Sequence, residues 1–412
     1  MYSTNSMLAR YLMNVITRSV LFLLFLSSTV DYSLNAMDCE ITCKDMTAQD
    51  LIGGIEELPK ELTCYIISLF FESFLFDFLL YKTFSLEETP NSLAFSPQGE
   101  DFLMGGDNGG VFMVQIETGK VLTVVPRYTH PIYSVACSPD GKTILIGTED
   151  NAACVWSVKT GEVVALFTEH SDSVTSVAFS LDGKLCLSGS NDTTACMWDS
   201  KSGELIMTFK GHTKQITSAV FSPDGKTVAT GSWDTTARLW NATTGELIKT
   251  FKGHTAHIGS VAFSPDGTML ATSSWDETAC VWNTKTGELL TTLRGHTEEV
   301  YSLVFSPDGE TVLTGSRDAT ACVWDSKTGE LLTTLLGHTY ELYSALFSPN
   351  GRNCLTGGLD EAIHVWKRVD GLGCLTNEKK KKKEKAFKKF LTLYPLLQKV
   401  GLRENHLNPT LK

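Results

Sequence analysis

Histidine, aspartate and cysteine are the residues of this chain whose spacing first suggests chemistry. His falls at 170, 212, 254, 296 and 338, and Asp at 150, 192, 234, 276, 318 and 360, each series with a step of 42 residues. An imidazole beside a carboxylate is the pairing used in general acid–base catalysis, and clusters of His, Asp and Cys hold metal ions. Cys154, Cys196, Cys280 and Cys322 each lie two residues before a tryptophan. A reaction centre needs such groups converging once. The same set recurring at one interval is what a repeated structural unit leaves behind. The Cys column lies on the tryptophan side of an alternating strand, so it reads as small buried packing. Cys39 and Cys43 have no Cys/His pair nearby and make a poor zinc frame. Gly-x-Ser-x-Gly, P-loop and His-Glu-x-x-His motifs are absent from the sequence. We therefore expect a non-enzyme with no catalytic residues, no cofactor and no metal.

The elements that carry these residues follow from the same period. Trp stands at 156, 198, 240, 282, 324 and 366, and a Phe-Ser-Pro-Asp-Gly turn or close variant begins at Phe95, Cys137, Phe179, Phe221, Phe263, Phe305 and Phe347. One unit serves for all. Ile258 to Phe263 is an apolar run ended by Ser264-Pro265-Asp266-Gly267. Met269 to Thr272 follows, then a turn at Ser274-Trp275-Asp276-Glu277. Thr278 to Trp282 and Leu289 to Leu293 complete it, separated by Thr286-Gly287. Short β-prone runs between Gly, Pro and Asp turns predict four antiparallel strands per unit.

A unit of this length with Gly-His near one end and Trp-Asp near the other resembles the WD40 repeat. Gly211-His212, Gly253-His254, Gly295-His296 and Gly337-His338 carry the first signature, and Trp198-Asp199 and Trp324-Asp325 the second. Trp240-Asn241 and Trp282-Asn283 are near matches. The resemblance implies an all-β, seven-bladed propeller over residues 81–368. The last unit supplies three strands, and Tyr81-Lys82-Thr83-Phe84 echoes Ile248-Lys249-Thr250-Phe251, so this earlier segment is expected to close the ring. The resemblance also implies that loop His, turn Asp and Trp form a buried network in each blade: His212, Asp234 and Trp240; His254, Asp276 and Trp282; His296, Asp318 and Trp324; His338, Asp360 and Trp366. The first unit departs, with Asn108 for Asp and Val114 for Trp, and the second has His130 two places off the period. Blades one and two are therefore expected to be less tightly tied.

Columns that vary between repeats are where function is sought. The residue before the turn Asp reads Glu149, Asn191, Trp233, Trp275, Arg317 and Leu359, and the fifth after the loop His reads Thr175, Thr217, Gly259, Tyr301 and Tyr343, with Tyr133 equivalent earlier. By the resemblance both columns face the mouth of the channel. Trp233, Trp275, Tyr301, Arg317, Tyr343 and Tyr133 are the expected partner-binding residues, of the types that dominate interface energetics. A protein or peptide is the expected partner of a non-catalytic scaffold.

Composition frames this. The chain has 412 residues, 42% hydrophobic and 20% charged, which excludes general disorder. Its 11 cysteines are too few for a disulfide-built miniprotein, and a net charge of −12 argues against specific nucleic-acid binding. The charge is uneven: residues 370–412 hold 11 Lys and Arg against 4 Asp and Glu. Residues 1–36 run basic, apolar, then small, the order of a secretory signal peptide, which would export the chain. With Met37 as the true start it would be cytoplasmic. Residues 37–80 are expected to be helical, and Leu58-Pro59-Lys60-Glu61-Leu62 with Ile66 and Leu69 looks like the start of an F-box, the link to a ubiquitin-ligase adaptor. The run Leu62–Leu80 contains Glu72 and Asp77, which argues against a membrane span. Residues 369–412, with Lys379 to Lys383 consecutive, form a basic tail suited to an acidic partner or an anionic membrane.

Overall fold

The computed structural model describes residues 78–368 apart from 87, 124, 126 and 127. The signal-like and F-box-like segments up to residue 77, Cys39 and Cys43, and the basic tail lie outside the described residues. Asp77–Val369 forms one compact unit. Its twenty-eight strands make seven antiparallel sheets of four strands, the blades of a propeller. Among the described residues no helix is long and apolar enough to cross a membrane.

Blades one to six take consecutive strands over residues 90–123, 132–167, 174–209, 216–251, 258–294 and 300–336. Blade seven takes Leu342–Phe347, Asn353–Gly358 and Ala362–Arg368 from the end of the repeat array and Phe78–Ser85 from its beginning. Thr83 pairs opposite His364 and Phe84 opposite Ile363. The closing strand thus begins earlier than the Tyr81 suggested by sequence. Phe78 explains this: it is buried, with its ring 6.1 Å from Phe347. First strands of successive blades pack on one another, and those of blades seven and one complete the ring.

The core lies between blades. Leu187, Met197 and Phe209 of blade three cluster with Ile216, Val228 and Trp240 of blade four. Second strands are buried on both faces, which is why Leu187, Ala229 and Leu313 occupy them rather than an alternating pattern. In six of the seven the last residue but one is glycine, because the next blade presses close: a Cβ on Gly231 would stand 2.6 Å from Ile258 Cγ2. A serine on the first strand then stitches neighbours. Ser92, Ser134, Ser176, Ser218 and Ser302 accept the backbone N–H of Val135, Val177, Ala219, Val261 and Ala345 at 3.0–3.2 Å.

Strand direction sorts the turns. Ser-Pro-Asp-Gly and Thr-Gly turns emerge at one rim, while the His loops and the turns carrying Trp233 and Trp275 emerge at the other, here called the upper face. Each upper turn of blades two to seven holds a non-glycine residue in the left-handed region, Thr193 at φ 75° and Thr235 at φ 68° among them. Such a conformation costs about 1–2 kcal/mol for a residue with a Cβ.

Candidate functional site

In blade four the Trp240 indole N–H donates to the Thr230 hydroxyl at 2.8 Å. That hydroxyl bonds His212 Nε2 at 2.8 Å, and His212 Nδ1 bonds Asp234 Oδ2 at 2.7 Å. The other carboxylate oxygen accepts the Thr236 N–H and O–H at 3.0 and 2.6 Å. The same relay runs Trp198, Ser188, His170, Asp192; Trp282, Thr272, His254, Asp276; Trp324, Thr314, His296, Asp318; and Trp366, Thr356, His338, Asp360. Burial, the largest single influence, pushes these aspartates up, but the bonds from the histidine and the turn threonines outweigh it, holding Asp318 at about 2 and Asp234 lower. Burial pulls His170, His254 and His296 down, yet the aspartate bond and the adjacent cysteine raise all three to about 9. Both oxygens of each carboxylate are engaged inside its own blade. The arrangement is a fastener between the loop before the first strand and the turn after the second. Cys196, Cys280 and Cys322 are buried free thiols beside it, and Cys154 is a buried free thiol at the same column of blade two. Among the described residues no His/Cys/Asp/Glu group could hold a metal ion.

Blades two and one are fastened differently. At 128, where the period would place His, stands Tyr128. Its hydroxyl takes the Trp156 N–H at 2.8 Å and meets the Cys154 thiol at 2.9 Å, so one phenol does the work of Thr and His together. His130 is exposed and lies 3.8 Å from Glu149. In blade one the four network positions carry Leu86, Met104, Asn108 and Val114, and Met104 and Val114 are fully buried. Glu88 instead takes the Gly110 N–H at 3.1 Å.

The upper face carries the variable columns. Trp233 stacks on His257 with centroids 4.7 Å apart and planes at 9°. Trp275 meets His257 at 5.0 Å and Trp233 at 5.3 Å. The chain of rings continues from Trp275 to Tyr301 at 5.8 Å and from Tyr301 to Tyr343 at 5.7 Å. It spans blades four to seven, and every ring is half-buried. Arg317 is exposed beside it and donates to Glu299 and Glu341, both at 2.9 Å. Burial first, then the two carboxylates, push the Tyr301 phenol up to about 12, so it stays a neutral donor. Tyr133 stands apart. Its hydroxyl reaches Glu149 at 3.3 Å, and among the described residues no ring contact joins it to the others.

One column splits in use. Thr175 and Thr217 donate to the carbonyls of Ile216 and Ile258 on the next blade at 2.5 and 2.8 Å. In blade five the position is Gly259, where a Cβ would stand 2.6 Å from the Val300 carbonyl. In blades six and seven it is tyrosine. His257, Glu299 and Glu341 were not singled out from sequence. They occupy the third position after the loop His, which reads Pro131, Ser173, Gln215, His257, Glu299 and Glu341 and varies as much as the columns that were. The backbone sets the columns side by side: the N–H of Trp233, Trp275 and Arg317 donates to the carbonyl of Gln215, His257 and Glu299 at 2.9 Å. His257 Nδ1 also donates to the Trp233 carbonyl at 2.8 Å, tying blade five to blade four.

A closed ring of seven four-stranded blades, five of them fastened by a Trp–Ser/Thr–His–Asp relay, defines a repeat propeller. The family model of the WD domain, G-beta repeat (WD40), matches residues 119–157, 161–199, 203–241, 245–283, 287–325 and 329–367. The chain belongs to the WD40 family. The matched segments begin after blade one's third strand, which is where the network residues are missing. The comparison with curated proteins finds no match.

Proposed function

We propose that this protein is a non-catalytic interaction scaffold that docks a protein or peptide on the aromatic half of its upper face. WD40 propellers typically act as protein-interaction scaffolds. What supports the particular surface is the unbroken run of five rings from Trp233 to Tyr343, laid across four blades where polar turn residues are the norm. Large rigid aromatics give contact area at low cost in side-chain entropy. A catalytic role lacks comparable support, because the buried carboxylates are consumed by their own blades. The test is a pull-down with the full chain carrying Trp233→Ala and Trp275→Ala, against Leu181→Ala on the opposite rim. Loss of partners only in the aromatic variant is expected. Unchanged partners with an intact fold would remove this face.

A second reading is a substrate receptor tethered to a ubiquitin-ligase adaptor. It rests on the F-box-like pattern of Leu58, Leu62, Ile66 and Leu69. An adaptor that copurifies and is lost on substituting Leu58 and Leu62 would support it. The basic tail is proposed to contact an acidic partner or an anionic membrane, and binding that does not weaken with added salt would count against that role.

A further inference from the structure

The upper face narrows the chemistry of what it can hold. Trp275 and Tyr301 meet at 79°, and Tyr301 and Tyr343 at 45°, so the rings form a corner and not a flat platform. An aromatic face carries partial negative charge and attracts a cation within about 6 Å of its centroid. Two carboxylates, Glu299 and Glu341, stand beside these rings and raise the phenol of Tyr301. Arg317 bonds one oxygen of each, which leaves this trio with one net negative charge. The second Glu299 oxygen is buried without a hydrogen-bond partner. An anionic group would meet ring faces and carboxylates of its own sign. A purely apolar group would cover the carboxylates without replacing their water, which is costly.

We propose, resting on the docking reading above, that the partner is anchored by a cationic side chain, an arginine or lysine seated in the Trp275–Tyr301–Tyr343 corner with its charge toward Glu299 and Glu341. A guanidinium satisfies both features at once, stacking on a ring while donating to a carboxylate.

The experiment uses the full chain and three labelled octapeptides in which glycine alternates with arginine, with its neutral isostere citrulline, or with glutamate. Fluorescence anisotropy is read at fixed ionic strength. The arginine peptide is expected to bind, the citrulline peptide about tenfold more weakly, and the glutamate peptide not at all. Trp275→Ala and Glu341→Gln are each expected to weaken the arginine peptide about tenfold. Equal binding of citrulline and arginine peptides, both lost in Trp275→Ala, would overturn the cationic anchor while leaving the docking face standing. Arginine-peptide binding untouched by either substitution would show attraction to the acidic body at large and overturn the site. Absence of arginine-peptide binding at millimolar concentration would also overturn it.

Discussion

Blades three and one have the same four strands in the same order but are held by opposite means. Blade three buries Trp198, Ser188, His170 and Asp192 in one hydrogen-bonded relay. Blade one has Val114, Met104, Leu86 and Asn108 at those places, and Leu86 packs with Phe84, Phe95 and Phe112 against the cluster that buries Met104 and Val114. Blade two lies between, keeping Trp156 and Asp150 while Ile146 and Tyr128 stand where other blades have Ser/Thr and His. The relay is therefore not what makes a blade. A buried polar network is stable when every member is satisfied, and so is an apolar replacement of the whole; what is costly is the half-removed state.

The largest effect that could break this comparison is a single deletion inside a relay. Asp234→Ala strands the His212 Nδ1 and the Thr236 hydroxyl and is expected to cost about 3 kcal/mol by chemical denaturation. Asn108→Ala, at the matching place in blade one, should stay within about 0.5 kcal/mol. Combining His212→Leu with Asp234→Ala should cost less than the sum of the two. Equal losses in blades one and four would mean the two fasteners are not different in kind.

Tyr128→Phe comes next. It leaves the Trp156 indole with the Cys154 thiol alone, at 3.0 Å, and is expected to lose about 1 kcal/mol. An unchanged midpoint would deny Tyr128 its role as the stand-in.

Acid sharpens the comparison at the seam. His364 stands where four other blades carry cysteine, its ring 4.1 Å from that of His338 and its Nδ1 3.0 Å from the Thr83 hydroxyl of the closing strand. Burial, then the neighbouring His338, hold it down to about 4 from an ordinary 6.5. The unfolded chain thus takes up a proton there before the folded one. The stability owed to neutral His364 is present above about pH 6.5 and is lost as pH falls toward 4. Melting temperatures between those values should fall less steeply in His364→Cys than in the parent. Parallel slopes would remove His364 as the cause.

The smallest effect is at the upper turns. Thr235→Gly relieves a β-branched residue at φ 68° and should raise stability by up to about 1 kcal/mol, whereas Gly109, already at φ 80° in blade one, offers no such gain.

These features differ in how far they could be read from the chain. The blades and the ring closure were legible because one period repeats them, and Tyr81 to Phe84 echoed an outer strand. Within the candidate site, Trp233, Trp275, Tyr301, Arg317 and Tyr343 emerged from columns that vary against a constant frame. His257, Glu299 and Glu341 escaped because they sit beside those columns only through backbone bonds between a loop and a turn. The serine stitches and the role of Tyr128 were hidden for a related reason. Both depend on which atoms face each other across blades or across a loop, and a column of letters does not carry that. Tyr133 shares a column with Tyr301 and Tyr343, but among the described residues no ring contact joins it to them.

Trp275 and Asp276 are adjacent, and they divide the account's two halves between them. Asp276 turns inward to His254, while Trp275 turns outward to Tyr301. The decisive measurement is melting temperature and partner retention for Trp275→Ala and Asp276→Ala in the full chain. The expected result is that Trp275→Ala loses the partner and about 1 kcal/mol or less of stability, while Asp276→Ala loses about 3 kcal/mol and, where still folded, keeps the partner. A Trp275→Ala protein that melts as early as Asp276→Ala, or that holds its partner undiminished, would contradict the assignment of recognition to the aromatic face.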